Sequence, residues 1–215
     1  MQRFNGVILS RYKYQDDLLL NFLTTSGIKK IVARGAVKQK AKLRGVIELF
    51  DLTRLELIKG RSRYILIGGK LIKRPLYLRV SLEKSLFLMS LSEATQIIIR
   101  DENTKQILNF WIRILKDLKN LKEKYLMSFF AFSLAHLLYM EGLIDKELGR
   151  YEVSKLKNKN QFLVDLVNLP FAELIKNNYS KEEYQKFIRQ INQLLINEGA
   201  NFLTFDLFLE KIDKL

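Results

Sequence analysis

Between Lys29 and Arg44 the chain carries Lys29, Lys30, Arg34, Lys38, Lys40, Lys42 and Arg44, with no acidic residue among them. Such a run makes and breaks no covalent bonds. Its chemistry is charge neutralisation, since holding a phosphate needs only charge and reach. A solubilising surface is the plain alternative, but cations packed this densely repel one another and disfavour the compact state unless an anion relieves them. The run therefore predicts a polyanionic partner. Upstream, Arg11, Tyr12, Lys13 and Tyr14 alternate cations with rings. Sites for single-stranded nucleic acid combine a positive groove with aromatic platforms on which bases stack. Phe22, Phe50, Tyr64 and Tyr77 are rings of the same region and are expected mostly to fill a core. Tyr12 and Tyr14 are the candidates for exposed base contacts, because Arg11 and Lys13 flank or separate them.

No constellation for catalysis accompanies these groups. There is no cysteine, which excludes a thiol nucleophile, disulfides and thiolate metal sites. The sole histidine, His136, falls in an apolar helical run and reads as a structural side chain. With one histidine and no cysteine, the common structural zinc sites are excluded as well. Asp16-Asp17 reads as a turn or strand-edge pair. Gly68-Gly69-Lys70 invites comparison with a phosphate-binding loop, but that motif needs a glycine where Tyr64 stands and a Ser or Thr where Leu71 stands. No enzyme activity, cofactor or metal is expected.

The elements that must position the basic groups can be read from charge and punctuation. Residues 1–80 hold 18 Lys and Arg against 5 Asp and Glu, a net of +13 out of the +14 for the whole chain. Seven of the ten glycines precede residue 70. These shifts place a domain boundary between about Gly69 and Ser81. The expected organisation is α+β: a β-barrel domain over residues 1–78 and an all-helical domain over 79–215. In the first, Phe4–Tyr14 is a strand, Leu18–Thr24 a strand or a helix, and Ile28–Ala33 a strand after the Ser26-Gly27 turn. Ala36–Arg44 reads as a loop, Val46–Ile58 as a long strand, and Arg63–Ile67 as a last strand ended by Gly68-Gly69. Five short strands in about 70 residues suggest an oligonucleotide-binding (OB) barrel, with an SH3-like barrel as the alternative.

Beyond the boundary, Ile107, Phe110, Trp111, Ile114, Leu115 and Leu118 recur at helical spacing behind Thr104, a candidate N-cap. Tyr125–Met140 is an uncharged stretch too short to span a bilayer and reads as a buried helix. Ser180 and Glu183 spell a capping box ahead of an apolar face. Thr204 is a candidate cap for a last short helix through Leu209, and Gly142 and Pro170 punctuate. MQRFNGVILSRYK lacks the uninterrupted apolar core of a signal peptide. No membrane association and a cytoplasmic, nucleoid-associated location are expected.

At this point six short pieces fall in register with a known pattern. They are Gly6-Val7-Ile8-Leu9, Tyr14-Gln15-Asp16, Thr25-Ser26-Gly27, Ile31 to Ala36, Lys40 to Gly45, and Leu49-Phe50. In order and spacing they resemble the N-terminal OB domain of the RecO family of bacterial recombination mediators. The helical region matches only in general character. Many family members carry a four-cysteine zinc module, which this chain lacks; Leu143–Asn160 is expected in its place without metal. The resemblance implies a mediator of DNA repair and recombination. It would bind single-stranded and duplex DNA, anneal complementary strands coated by single-strand-binding protein, and act with RecR to help load RecA. The helical domain would then meet protein partners, including the acidic tail of single-strand-binding protein. An RNA-binding or ribosome-associated OB protein, and a scaffold whose basic patch meets an acidic protein, are the rival readings.

Overall fold

A computed structural model describes residues 1–38, 42–99, 103–144, 161–197 and 203–212. They form two compact units, Met1–Tyr77 with Arg100–Lys119, and Leu78–Ile99 with Asn120–Leu215.

The first unit is built on β1 (Gln2–Tyr14), β2 (Asp17–Thr24), β3 (Gly27–Ala33), β4 (Leu52–Lys59) and β5 (Tyr64–Lys73), closed in the order β1-β2-β3-β5-β4. Neighbours are antiparallel except β3 and β5, whose parallel pairing of Ile31 with Tyr64 and Val32 with Ile65 closes the barrel. This is the OB barrel. Closure removes the unpaired edges that an open five-stranded sheet would expose. The interior is filled by alternate residues, Ile8, Leu20, Phe22, Ile31, Leu55 and Leu57 among them. The ambiguous run Leu18–Thr24 is a strand because its alternate members Leu18, Leu20 and Phe22 fill that interior. Gly6 lets β1 approach β2, since a Cβ there would stand 2.0 Å from the Leu23 carbonyl oxygen.

Two strand expectations need correction. Val46–Asp51 is not part of β4. Lys42–Val46 forms a 3-10 turn, and Phe50 adopts a left-handed backbone at φ 63°. Ile47, 0% exposed, fills the barrel interior, while Phe50, 3% exposed, is buried against Trp111; the segment meets β1 at Ile8, whose carbonyl accepts from Phe50 N at 2.9 Å and whose amide donates to the Asp51 carbonyl at 3.2 Å. Asp51, fully buried, anchors the segment. Arg74 donates from Nε to Oδ1 at 2.8 Å and from Nη2 to Oδ2 at 2.6 Å, and Nη2 also reaches the Gly45 carbonyl at 2.8 Å. The second correction is β5, which runs through Gly68-Gly69 to Lys73 instead of ending there. The glycines make room for β4. A Cβ on Gly68 would meet Glu56 Oε2 at 2.7 Å, and one on Gly69 would meet Leu55 Cδ2 at 2.9 Å, beside a register shift at Glu56/Leu57.

Helix periodicity placed residues 104–118 with the helical region, yet this helix packs against the barrel. Thr104–Asp117 lies against β1, β2 and β3. Its Trp111 is fully buried and stacks on Phe50. Thr104 is not the N-cap. Asn103 holds that place, and the Thr104 hydroxyl donates to the Thr25 carbonyl at 2.9 Å. Tyr77 likewise donates to the Leu115 carbonyl at 2.9 Å.

The second unit contains α1 (Leu82–Ile98), which takes Ser81 as its N-cap. In the first unit, Thr104–Asp117 is labelled α2. The second unit continues with α3 (Leu126–Met140), α4 (Gln161–Asn168), α5 (Phe171–Leu174), α6 (Lys181–Asn197) and α7 (Leu203–Ile212). Apolar nearly all round, α3 packs against α1, α4 and α6. Phe87, Phe130 and Phe208 meet ring to ring between α1, α3 and α7. The capping box forms as spelled: Ser180 N donates to Glu183 Oε2 at 2.8 Å and Glu183 N to Ser180 Oγ at 3.2 Å. Thr204 lies inside α7, not before it, and its carbonyl accepts from Ser90 Oγ. His136 is half-buried, its Nδ1 3.0 Å from the Phe132 carbonyl. Among the described residues no helix is long and apolar enough to cross a membrane.

Candidate nucleic-acid interface

Strand register sorts the candidate residues by face, because directly opposed residues in neighbouring strands point to the same side. Tyr12 opposes Leu19, Leu19 opposes Val32, and Val32 pairs with Ile65. This row lies outside the barrel, since the alternate row of Leu20 and Ile31 fills its interior. Tyr14 stands two residues along β1 from Tyr12, and Lys30 two residues along β3 from Val32. Arg34, just past β3, continues that alternation. Two-residue steps along a strand span roughly 7 Å and adjacent strands roughly 5 Å, so these rings and cations share a patch roughly 10–15 Å across. Tyr12 and Tyr14 are 58% and 59% exposed, which leaves their rings available to a base. Lys30 and Arg34 are exposed and form no side-chain ion pair or hydrogen bond among the described residues.

The remaining candidates part from this patch. Arg11 opposes Leu20 and Lys13 opposes Leu18, which puts both on the inner side at the barrel mouth. Arg11 is committed to Glu48 at 2.6 Å, whereas Lys13 is exposed. Lys29 opposes Phe22, with its ammonium 5.7 Å from the Phe4 ring centroid and 6.0 Å from that of Tyr64. It also donates to the Ser26 carbonyl at 2.6 Å, so it closes the other end of the barrel. Lys38 meets Asp16 at 3.4 Å with both side chains about 70% exposed (68% and 71%), an arrangement an incoming phosphate can exchange. Asp16 lies in the β1–β2 turn, and Asp17 Oδ1 accepts from Gly35 N at 2.8 Å. Lys40 lies outside the described residues. Lys42 and Arg44 are placed by backbone only, in the 3-10 turn.

Sequence reasoning passed over the β4–β5 turn. Lys59, Arg61 and Arg63 are all exposed there, without a side-chain partner among the described residues. In OB barrels this loop and the β1–β2 loop border the face of β2 and β3 that takes oligonucleotides. The signal was the spacing Lys-Gly-Arg-Ser-Arg, three cations with no acid, masked by reading the segment only as a turn.

Residues 1–74 match the model of the family described as Recombination protein O N terminal. That match is confined to 74 of the 215 residues. Relatives named DNA repair protein RecO extend the likeness. One from Trichodesmium erythraeum is 32% identical over 138 residues, covering 60% of this chain and 48% of its own length. Another, from a Roseiflexus species, is 41% identical over 68 residues, covering 32% of this chain and 24% of its own. The chain thus spans about half or less of the curated relatives it matches. Among solved structures, asparaginyl-tRNA synthetase from Pyrococcus horikoshii aligns with a TM-score of 0.28 at 13% identity, over 54% of this chain and 32% of its own. A likeness at that level establishes no shared fold. The platform of Tyr12, Tyr14, Lys30 and Arg34 sits within the residues that this family model matches. No group of His, Asp or Glu among the described residues could hold a metal ion. Residues 145–160, most of the segment expected to replace the zinc module, lie outside the described residues.

Proposed function

We propose that this chain is a DNA repair and recombination mediator whose barrel binds single-stranded DNA without reading its sequence. The outward face of β1, β2 and β3 carries the reading. Two exposed tyrosines and two unengaged cations share one side of a RecO-family barrel. Bases would stack on Tyr12 and Tyr14, while Lys30, Arg34, Lys38 and the β4–β5 turn neutralise phosphates. Lowering the repulsion between two strands in this way favours their annealing, and no covalent step is needed. In this reading the chain also binds duplex DNA, anneals strands coated by single-strand-binding protein, and acts with RecR to help load RecA, in the cytoplasm at the nucleoid.

The test is the annealing rate of complementary strands coated with single-strand-binding protein, measured with and without this chain. The expected result is acceleration that is lost at high salt. Unchanged annealing, together with no affinity for oligothymidylate at low salt, would remove the proposal. Competition between single-stranded DNA and RNA of equal length separates a DNA mediator from an RNA-binding protein.

A further inference from the structure

The helical unit holds a cavity of about 300 Å³. Tyr125, Tyr179, Tyr184, Met127 and Ile175 supply its rings and apolar surface, while Lys124 and Lys181 add cations and Glu123 an acid. The Tyr179 wall is built with care. Its hydroxyl donates to Asp165 Oδ2 at 2.5 Å, and Asp165, only 9% exposed, also accepts from Asn177 Nδ2 at 2.9 Å and Gln161 Nε2 at 2.7 Å. Asn178, between Asn177 and Tyr179, takes a left-handed backbone at φ 51°, so both of its neighbours serve one carboxylate. The Tyr179 ring is further set edge-on to Phe162 at 4.9 Å and to Tyr184 at 6.4 Å. Burial and the bonded carboxylate push its phenol well above the usual tyrosine range, so the hydroxyl stays protonated and committed. What Tyr179 offers the cavity is its ring. At the rim, the Lys124 ammonium lies 4.9 Å from the Tyr125 ring centroid.

Held aromatic walls beside lysines match a planar group that carries an anion, and this pairing of stacking surface with cation is how single-strand sites take nucleotides. The volume lies at the small end for ligand pockets, the scale of one nucleotide rather than of a large cofactor. We propose that this cavity seats one nucleotide of a single DNA strand, its base against Tyr125 and Tyr179 and its phosphate at Lys124 and Lys181. The helical unit would then have a DNA contact made of its own residues. This rests on the reading that the chain handles single-stranded DNA, and it adds a second contact that the barrel's charge does not supply.

Oligothymidylate carrying 4-thiothymidine tests the idea by photocrosslinking to the full chain, with crosslinked peptides mapped by mass spectrometry and affinity read by anisotropy. Ile175→Trp fills the cavity, and Lys124→Glu reverses a rim charge at an exposed position. Melting curves confirm that each variant is folded, and the exposed rim variant stands alone if the filled one is not. The expected result is crosslinks to peptides containing Tyr125 or Tyr179, lost in Ile175→Trp, with affinity weakened about tenfold, the scale of one lost base stack. Crosslinks confined to residues 1–77, with both variants binding as wild type, overturn the inference and leave the barrel's role standing. The inference also fails if Ile175→Trp releases an acidic peptide while oligothymidylate binding is untouched. Absence of any oligothymidylate binding by the wild-type chain sinks the functional reading itself.

Discussion

Phe50 and Trp111 stack with ring centroids 6.1 Å apart and planes 9° from parallel, Phe50 reaching this position from a left-handed backbone. The contact ties the segment after the basic loop to α2, and both rings are buried. Truncating a buried aromatic ring costs about 3–5 kcal/mol. Phe50→Ala is therefore expected to lower the stability of the barrel unit by about that amount. Trp111 is the only tryptophan in the chain, so its fluorescence reports that unit directly during urea unfolding. A midpoint unchanged by the substitution contradicts the role given to the stack.

The outward patch makes a salt-dependent prediction. For single strands, log affinity falls with log salt by about 0.7 per neutralised phosphate. Engagement of four to six cations gives a wild-type slope of roughly −3 to −4. Lys30→Ala with Arg34→Ala should make that slope shallower by about 1.4 and leave the fold intact, since both side chains are exposed. The Lys38, Lys40 and Lys42 triple alanine variant is expected to act the same way through the loop. Tyr12→Ala should weaken binding by about 1–3 kcal/mol with little change in slope, because stacking releases no counterions. A variant set that shifts affinity without touching the salt slope would place the phosphate contacts elsewhere.

Glu93 supplies a pH dependence. Loss of solvation pushes its carboxyl above the usual range, outweighing the opposite pull of the Thr204 hydroxyl and backbone amide beside it. A carboxyl raised on folding is more readily protonated in the native state than in the unfolded chain. Its contribution is therefore fully present below the unfolded pKa and is lost as pH rises through the folded value. Glu93→Gln is expected to raise the melting temperature of the helical unit near neutral pH and to converge with wild type in acid. Thermal unfolding followed by circular dichroism from pH 4 to pH 8 checks this. Equal pH profiles for the two proteins would mean that the carboxyl titrates alike in both states.

Local signals were legible where the chemistry is local. The Ser180–Glu183 box needs only residues three apart, and it forms as spelled. Gly142, which lies just past α3, ends that helix for reasons contained in a few residues. The signals failed where burial comes from a distant partner. Val46 to Phe50 is as apolar as a strand, but Val46, Ile47 and Leu49 pack on the barrel core from a loop while Phe50 turns to Trp111. Gly68-Gly69 looked like a stop, and only the opposing Leu55 and Glu56, whose side chains lie over the two glycines, show what a glycine mid-strand accommodates. Helix α1 went unmarked although Ser81 caps it at the Lys84 amide, because its helix carries no sharply one-sided apolar pattern.

By itself, the sequence determined the barrel-then-helices order, the concentration of positive charge in the first third and the family resemblance carried by the pieces from Gly6 to Phe50. Those are properties of composition, alternation and spacing, and each is carried by neighbours along the chain. Only the tertiary structure decided which cations are available. Arg11 and Lys30 look equivalent in the sequence, yet strand register turns Arg11 inward to Glu48 and Lys30 outward to solvent. A side chain's charge is set by its type, but its freedom to meet a phosphate depends on the face it occupies and the acids that fold against it. Those are fixed by pairing between strands far apart in the chain.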